Sequence, residues 1–479
     1  MKKFPDMSLR AQRSNLMKSV GLPRPFQGLA MTFSAILILT TILIGCSPSP
    51  KDEIGRMEKV PMPKFTEPTV DSGVLPNGIR YYLLEDHQLP IAQMNIITKT
   101  GSIYEPADKL GLAKLLGIVL RTGGTKNMTP EDVDRAFDNM AAEAGIGLGS
   151  EMGEAGIKVL SKDREKALSL FFDLLFAPRF DLKRTELGKI KIIEALKRED
   201  DYPEQVVGRE FKKLVYGDSS PWARRPTNES VRKLTIDDLK KFHEKYFVPS
   251  NMIVAAAGDF DKASFIELLK KFTQDVPNHQ VDFPKVPPVE LKFPSQEKRI
   301  ARPLTQSYIE AGHLGIKRHN PDKYALEIMD TILGAPLFKS RLMEDIRSNR
   351  GLAYTIASDF GWGTDYGLFN IYVDTKSQTE NQVIDLIRAH LTRMKEKGDV
   401  TEAELDFAKK AVLNKLIFEF DNSFKIVTSR ARYFFYGYPD NYWHIYRDSI
   451  EKVTLEDVKR VSREYLHPEG LSIAIVGPK

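Results

Sequence analysis

Apolar and polar positions alternate along several stretches of the chain, which predicts half-buried strands. In "IAQMNIITKTG", from Ile91, the residues Ala92, Met94 and Ile96 share one face; in "YGLFNIYVD", from Tyr366, Phe369, Ile371 and Val373 do the same. "VLPNGIRYYLLED", from Val74, places a Pro-Asn-Gly turn between apolar segments and predicts a hairpin. Other stretches carry the helical period. "GLAKLLGIVLRTGG", from Gly111, predicts a helix that stops at a Gly-Gly pair. "TPEDVDRAFDNMAAEAG" predicts another, with Thr129 as N-cap, Pro130 in the first turn and Asp132 at the capping-box position. "NPDKYALEIMDTILG" and "TEAELDFAKKAVLNKLIF", further on, predict two amphipathic helices.

One motif occurs twice. "LTIDDLKKFHEKYFVPSNMIVAAAGDF", from Leu234, matches "VTLEDVKRVSREYLHPEGLSIAIVGPK", from Val453. Thr235 meets Thr454, Asp238 meets Asp457, Tyr246 meets Tyr465, Pro249 meets Pro468, and Gly258 meets Gly477. Each copy predicts a Thr-capped helix, a proline turn and a continuous apolar strand closed by glycine. A duplicated unit of roughly 200 residues follows, larger than the repeat of a solenoid. Between the copies, residues 276–296 hold five prolines and favour extended chain. The expected organisation is an N-terminal domain at 66–275, a linker at 276–296 and a C-terminal domain at 297–479. Strands and helices mix in both halves, so the expected class is α+β, each half a sheet covered on one face by helices.

Composition changes this picture at the N-terminus only. The formal net charge is +5, and the segment before Cys46 carries all of it: Lys2, Lys3, Arg10, Arg13, Lys18 and Arg24 against Asp6. The rest is neutral and gives no footprint for nucleic acid. A hydrophobic run follows, short for a membrane span, and ends in Leu43-Ile44-Gly45-Cys46. This resembles a bacterial lipobox. The expectation is a lipoprotein signal at 1–45, a lipid on Cys46 and a polar tether at 46–65. That places the protein at the bacterial cell envelope, facing the periplasm, with Ser47 compatible with the outer membrane. Cys46 is the one cysteine, so no internal disulfide forms.

Over nearly its whole length after that signal the chain resembles the insulinase/pitrilysin family of zinc peptidases, the inverzincins. The resemblance lies in "LPNGIRYYLLEDHQLPIAQMNIITKTGSIYEPADKLGLAKLL", "EALKREDDYPEQV", "KYFVPSNMIVAAAGDF" and "FKSRLMEDIRSNRGLAYTI". It implies two homologous insulinase-like domains in a clam-shell arrangement. It also implies H-x-x-E-H after "GLA", two histidines binding zinc and a glutamate activating water. Those positions are Lys114, Gly117 and Ile118 here, and the family's third ligand falls on Ala195. A protonated amine, a hydrogen and two hydrocarbon side chains offer a metal no lone pair. Glu194 is adjacent to Ala195, but helix neighbours point about 100° apart. None of the eight histidines forms H-x-x-H, H-x-x-E-H or H-x-x-x-H, and each is expected on the surface or in a turn.

Two other features survive. Arg347 and Tyr354, in "IRSNRGLAY", match an Arg/Tyr pair that in the family reaches across the chamber to the substrate at the zinc. A plain structural reading stays open: a helix-end arginine in a salt bridge and a tyrosine half in the core. "GIGLGSEMGEAG", from Gly145, matches a turn and edge strand on which an extended peptide lies as an added strand, with Gly147, Gly149 and Ser150 as contacts; a flexible bulge is the alternative. The resemblance thus implies a chain that binds no cofactor and is no enzyme on its own. It would bind peptide and complete the chamber of a zinc-bearing relative, as a heterodimer, or pair with itself. The alternatives are an envelope scaffold without proteolytic role and, last, a zinc endopeptidase with an unrecognised site.

Overall fold

The structure is a computed structural model describing residues 69–479; the expected signal, Cys46 and the tether lie outside the described residues. In the N-terminal half, β1 (Asp71–Val74), β2 (Arg80–Glu85), β3 (Ile91–Lys99), β4 (Glu143–Leu148), β5 (Met152–Leu160) and β6 (Met252–Gly258) form one sheet in the order β1-β2-β6-β3-β5-β4. Its helices are α1 (Leu112–Thr122), α2 (Pro130–Asn139), α3 (Arg164–Phe176), α4 (Leu182–Glu199), α5 (Pro203–Tyr216), α6 (Asn228–Lys233), α7 (Ile236–Tyr246) and α8 (Lys262–Thr273).

The C-terminal half repeats the plan. β7 (Gln296–Ala301), β8 (Gln306–Leu314), β10 (Ala353–Phe360), β12 (Leu368–Lys376) and β13 (Ser472–Gly477) run in the order β10-β12-β8-β13-β7, while β9 (Ile316–Lys317) and β11 (Trp362–Gly363) pair separately. The helices are α9 (Lys323–Leu333), α10 (Glu380–Thr392), α11 (Glu402–Ile417), α12 (Ser423–Phe435), α13 (Tyr442–Lys452) and α14 (Leu455–Tyr465), with a π-helical turn at Met343–Asn349. Each sheet has one parallel pair, β2 with β6 and β7 with β13, at the strand that ends the repeated motif. Both copies of that motif open on a reciprocal capping box, at Thr235 and Thr454.

The local chemistry follows the sequence closely. The hairpin turns at Gly78, whose φ of +93° suits glycine. The Thr129 side chain accepts from the Asp132 N–H, and α1 ends at Gly123. Ala92, Met94 and Ile96 enter the N-terminal core together with Leu116 and Val119 of α1. Phe369, Ile371 and Val373 enter the C-terminal core.

The expectation of sheets covered on one face needs correction. β6 buries both faces: Met252, Val254 and Ala256 join the N-terminal core, and Ile253, Ala255 and Ala257 pack against Val427 and Ala431 of α12. β13 does likewise, with Ile473 and Ile475 on the C-terminal core and Ala474 and Val476 against Val206, Val207 and Phe211 of α5. The halves therefore exchange helices, α5 covering the second sheet and α12 the first. The physical reason is the unbroken apolar run of each strand, which leaves neither face fit for water. Polar contacts fix the exchange. Glu210 of α5 is 5% exposed and pairs with Lys298 of β7, Lys213 and Arg209. Burial pushes its carboxyl up, but those three cations outweigh burial and hold it at about 2. Arg432 of α12 pairs with Glu154 of β5 at 2.9 Å.

Candidate functional site

α1 begins in an organised loop. Gly111 sits at φ +97° as its N-cap and has no capping side chain of its own. The Glu105 carboxylate supplies that role, accepting from the N–H groups of Gly111 at 3.1 Å and Ala113 at 2.7 Å. The Arg224 guanidinium donates to the carbonyls of Ser102 at 3.1 Å and Glu105 at 2.6 Å. Burial pushes the Glu105 carboxyl up to about 7, while the two N–H bonds and Arg224 pull it back.

On the helix so placed, Lys114 is exposed, Gly117 buried and Ile118 half-buried. A Cβ at Gly117 would lie 3.3 Å from the Ile146 carbonyl oxygen and 3.4 Å from the Gly147 Cα, so α1 rests directly on the edge strand β4. α4 closes on α1 at Gly188, where a Cβ would come within 2.8 Å of Leu115. On α4, Ala195 is half-buried and Glu194 exposed. These four positions do not fit a zinc ion, since none carries a donor atom free to bind it. Among the described residues no three His, Cys, Asp or Glu side chains gather as a metal site would require.

Three histidines depart from the expected surface placement. His313 is 2% exposed, and its burial among Phe293, Phe369 and His467 pushes its imidazole down to about 4. His243 meets the Leu175 carbonyl at 2.6 Å, and His390 meets Asp345 at 2.9 Å. These are packing residues, each with at least one ring nitrogen held by a local oxygen.

β4 is the edge of its sheet, and the turn that follows it is tied to the loop before α1. Arg121 of α1 donates from Nε to the Ala144 carbonyl at 2.9 Å and pairs with Asp134. The Ser102 N–H donates to the Gly149 carbonyl and the Ile103 N–H to the Ser150 carbonyl, both at 3.0 Å. Gly147 is exposed, and a Cβ there would meet open space. Glu105, Arg121 and Arg224 were not singled out from sequence. For Arg121 a signal existed, because it lies seven residues after Lys114 on the same helical stripe.

In the other half, the π-helical turn and the edge strand β10 carry Arg347 and Tyr354. The Arg347 guanidinium lies 5.3 Å from the centre of the Phe338 ring, and Nη1 is 3.5 Å from the Met343 sulfur. Among the described residues no carboxylate pairs with it; the nearby Asp345 is taken by Arg350 at 2.8 Å and by His390. Tyr354 is 76% exposed and Phe338 73% exposed. Neither the salt bridge nor the half-buried ring of a plain structural reading is present. What this surface offers is a guanidinium fork and a phenol, both suited to peptide carbonyls or a carboxylate.

Comparison with known proteins gives two family matches. Residues 80–219 match the model described as Insulinase (Peptidase family M16), and residues 233–412 the one described as Peptidase M16 inactive domain. A Helicobacter pylori relative named non-peptidase homolog YmxG is 25% identical over 398 residues, covering 82% of this chain and 91% of its own. A Bacillus subtilis relative named uncharacterized zinc protease YmxG is 22% identical over 404 residues, covering 84% and 97%. The crystal structure of a peptidase M16 inactive domain from Pseudomonas fluorescens superposes with a TM-score of 0.78 at 24% identity, covering 86% of this chain and 98% of that one.

Proposed function

The chain belongs to the insulinase family, peptidase family M16, as a catalytically inactive member, and from that premise we propose that it lends Arg347 and Tyr354 to the active chamber of a zinc-bearing partner of the same family. One observation carries the reading: Arg347 has no carboxylate partner among the described residues and lies over the exposed Phe338 ring, and the Tyr354 ring is exposed as well. Leaving such groups in water has no value for the fold, whereas a peptide would use both. The guanidinium would hold a substrate carbonyl or carboxylate. The Tyr354 phenol would donate to the oxygen that gains charge as the carbonyl becomes tetrahedral. Zinc and the water-activating base would belong to the partner, and a lipid on Cys46 would keep the assembly at the envelope.

The test is reconstitution. Mixed with an H-x-x-E-H relative from the same cell, the chain should restore peptide cleavage that neither shows alone. Arg347→Ala and Tyr354→Phe should each lower kcat by about 10²–10³-fold, the range for loss of an oxyanion donor, with complex formation on a sizing column unchanged. Full turnover by the Arg347→Ala/Tyr354→Phe double variant would overturn the proposal. It would favour the second reading, an envelope scaffold without proteolytic role.

A further inference from the structure

The C-terminal half contains a counterpart of the vacant site, and that counterpart is rich in donor atoms. By order in the duplicated halves, α9, β10 and α11 correspond to α1, β4 and α4. Between them lies a cavity of about 510 Å³. Glu327, Asp330 and Thr331 line it from α9 with the same i, i+3, i+4 spacing as Lys114, Gly117 and Ile118 on α1. Asp359 comes from β10 and Lys415 from α11, as Ala195 comes from α4.

The charges inside are incompletely answered. Asp330 is 8% exposed and accepts from the Ser358 hydroxyl at 2.6 Å. Glu327 Oε1 accepts from the Tyr446 hydroxyl at 2.5 Å, but Oε2, sealed from solvent, has no partner. An orphan acceptor of that kind is costly. Burial, before any other cause, raises the carboxyls of Glu327, Asp330 and Asp359. Lys415 is exposed and makes no ion pair among the described residues, although its charge draws Glu327 and Asp359 back down. The three acids do not converge as a metal requires. Phe360 and Trp362 add an aromatic wall, which suits an alkyl stem ending in a cation. The rim at Leu337 runs directly into Phe338, the ring over which Arg347 lies.

We propose that this cavity receives the ammonium or guanidinium group of a basic side chain, presented by the peptide that Arg347 and Tyr354 touch. For the peptide this rests on the function proposed above. The cavity itself is testable on the isolated chain by titration calorimetry with N-acetyl-arginine amide and N-acetyl-lysine amide, against N-acetyl-norleucine amide. The basic amides should bind and the norleucine amide should not. Asp359→Asn, at an exposed position, and Glu327→Gln, which keeps an acceptor for Tyr446, should each weaken binding about tenfold. Lys415→Met should strengthen it by removing a resident cation. Equal binding of the norleucine amide, or indifference to both acid substitutions, would overturn the proposal. So would binding seen only in Lys415→Met, since Lys415 would then be the native occupant. The readout needs no partner and no turnover, so a negative result leaves the role of Arg347 and Tyr354 standing.

Discussion

At the scale of the residue, Glu105 fixes the start of the helix that carries Lys114, Gly117 and Ile118. Its two N–H bonds anchor the start of α1, and with them the placement of Lys114 and Gly117. Its folded carboxyl is raised to about 7 from an ordinary value of 4.5. Between those values the folded state holds more protons than the unfolded one, so this group's contribution to stability falls as pH rises through the window. Glu105→Gln cannot titrate. Urea midpoints measured from pH 4.5 to 8 should therefore show a shallower decline in the variant than in the parent, and parallel curves would refute the assignment. The vacancy at Lys114, Gly117 and Ile118 was legible in the sequence, because losing a donor atom is a matter of residue type alone. Glu105 was not, because its partners are backbone groups, which have no letter in the sequence. Glu327 and Asp330 were also passed over, because on an amphipathic helix they read as solvated polar positions.

At the scale of the element, the exchanged helices matter most. Phe211 on α5 is fully buried, and it packs on a sheet built from the other half of the chain. Phe211→Ala should cost about 3–5 kcal/mol by loss of transfer energy and the cavity left behind. The loss should register as faster hydrogen exchange in β13, the strand against which Phe211 packs. Faster exchange confined to the N-terminal sheet would contradict the packing described. The unbroken apolar runs of β6 and β13 carried a signal that both faces are buried, which the expectation of one covered face did not use. The runs did not announce what covers them. α5 and α12 are ordinary amphipathic helices, and nothing in a helical stripe says which sheet it will meet.

At the scale of the whole molecule, duplication was legible because the repeated motif keeps its capping threonine, turn proline and closing glycine. The interlock was not, since it is a property of two halves in space. It has a thermodynamic consequence. Because each core is closed partly by the other half, neither should unfold alone. Trp222 reports on the N-terminal half, and Trp362 and Trp443 on the C-terminal half. Denaturation followed by fluorescence in the parent and in Trp222→Phe should give coincident transitions. Two separated transitions would show the halves to be independent.

The placement of α12 also imposes an order on biosynthesis. A nascent chain completes β6 at Gly258, yet the helix that shields Ala255 and Ala257 ends at Phe435. At roughly 5–20 residues per second, translation leaves that apolar surface bare for on the order of ten seconds or more. Through that interval the newborn first sheet is a target for chaperones and proteases, and its fate is decided by a segment the ribosome has yet to read.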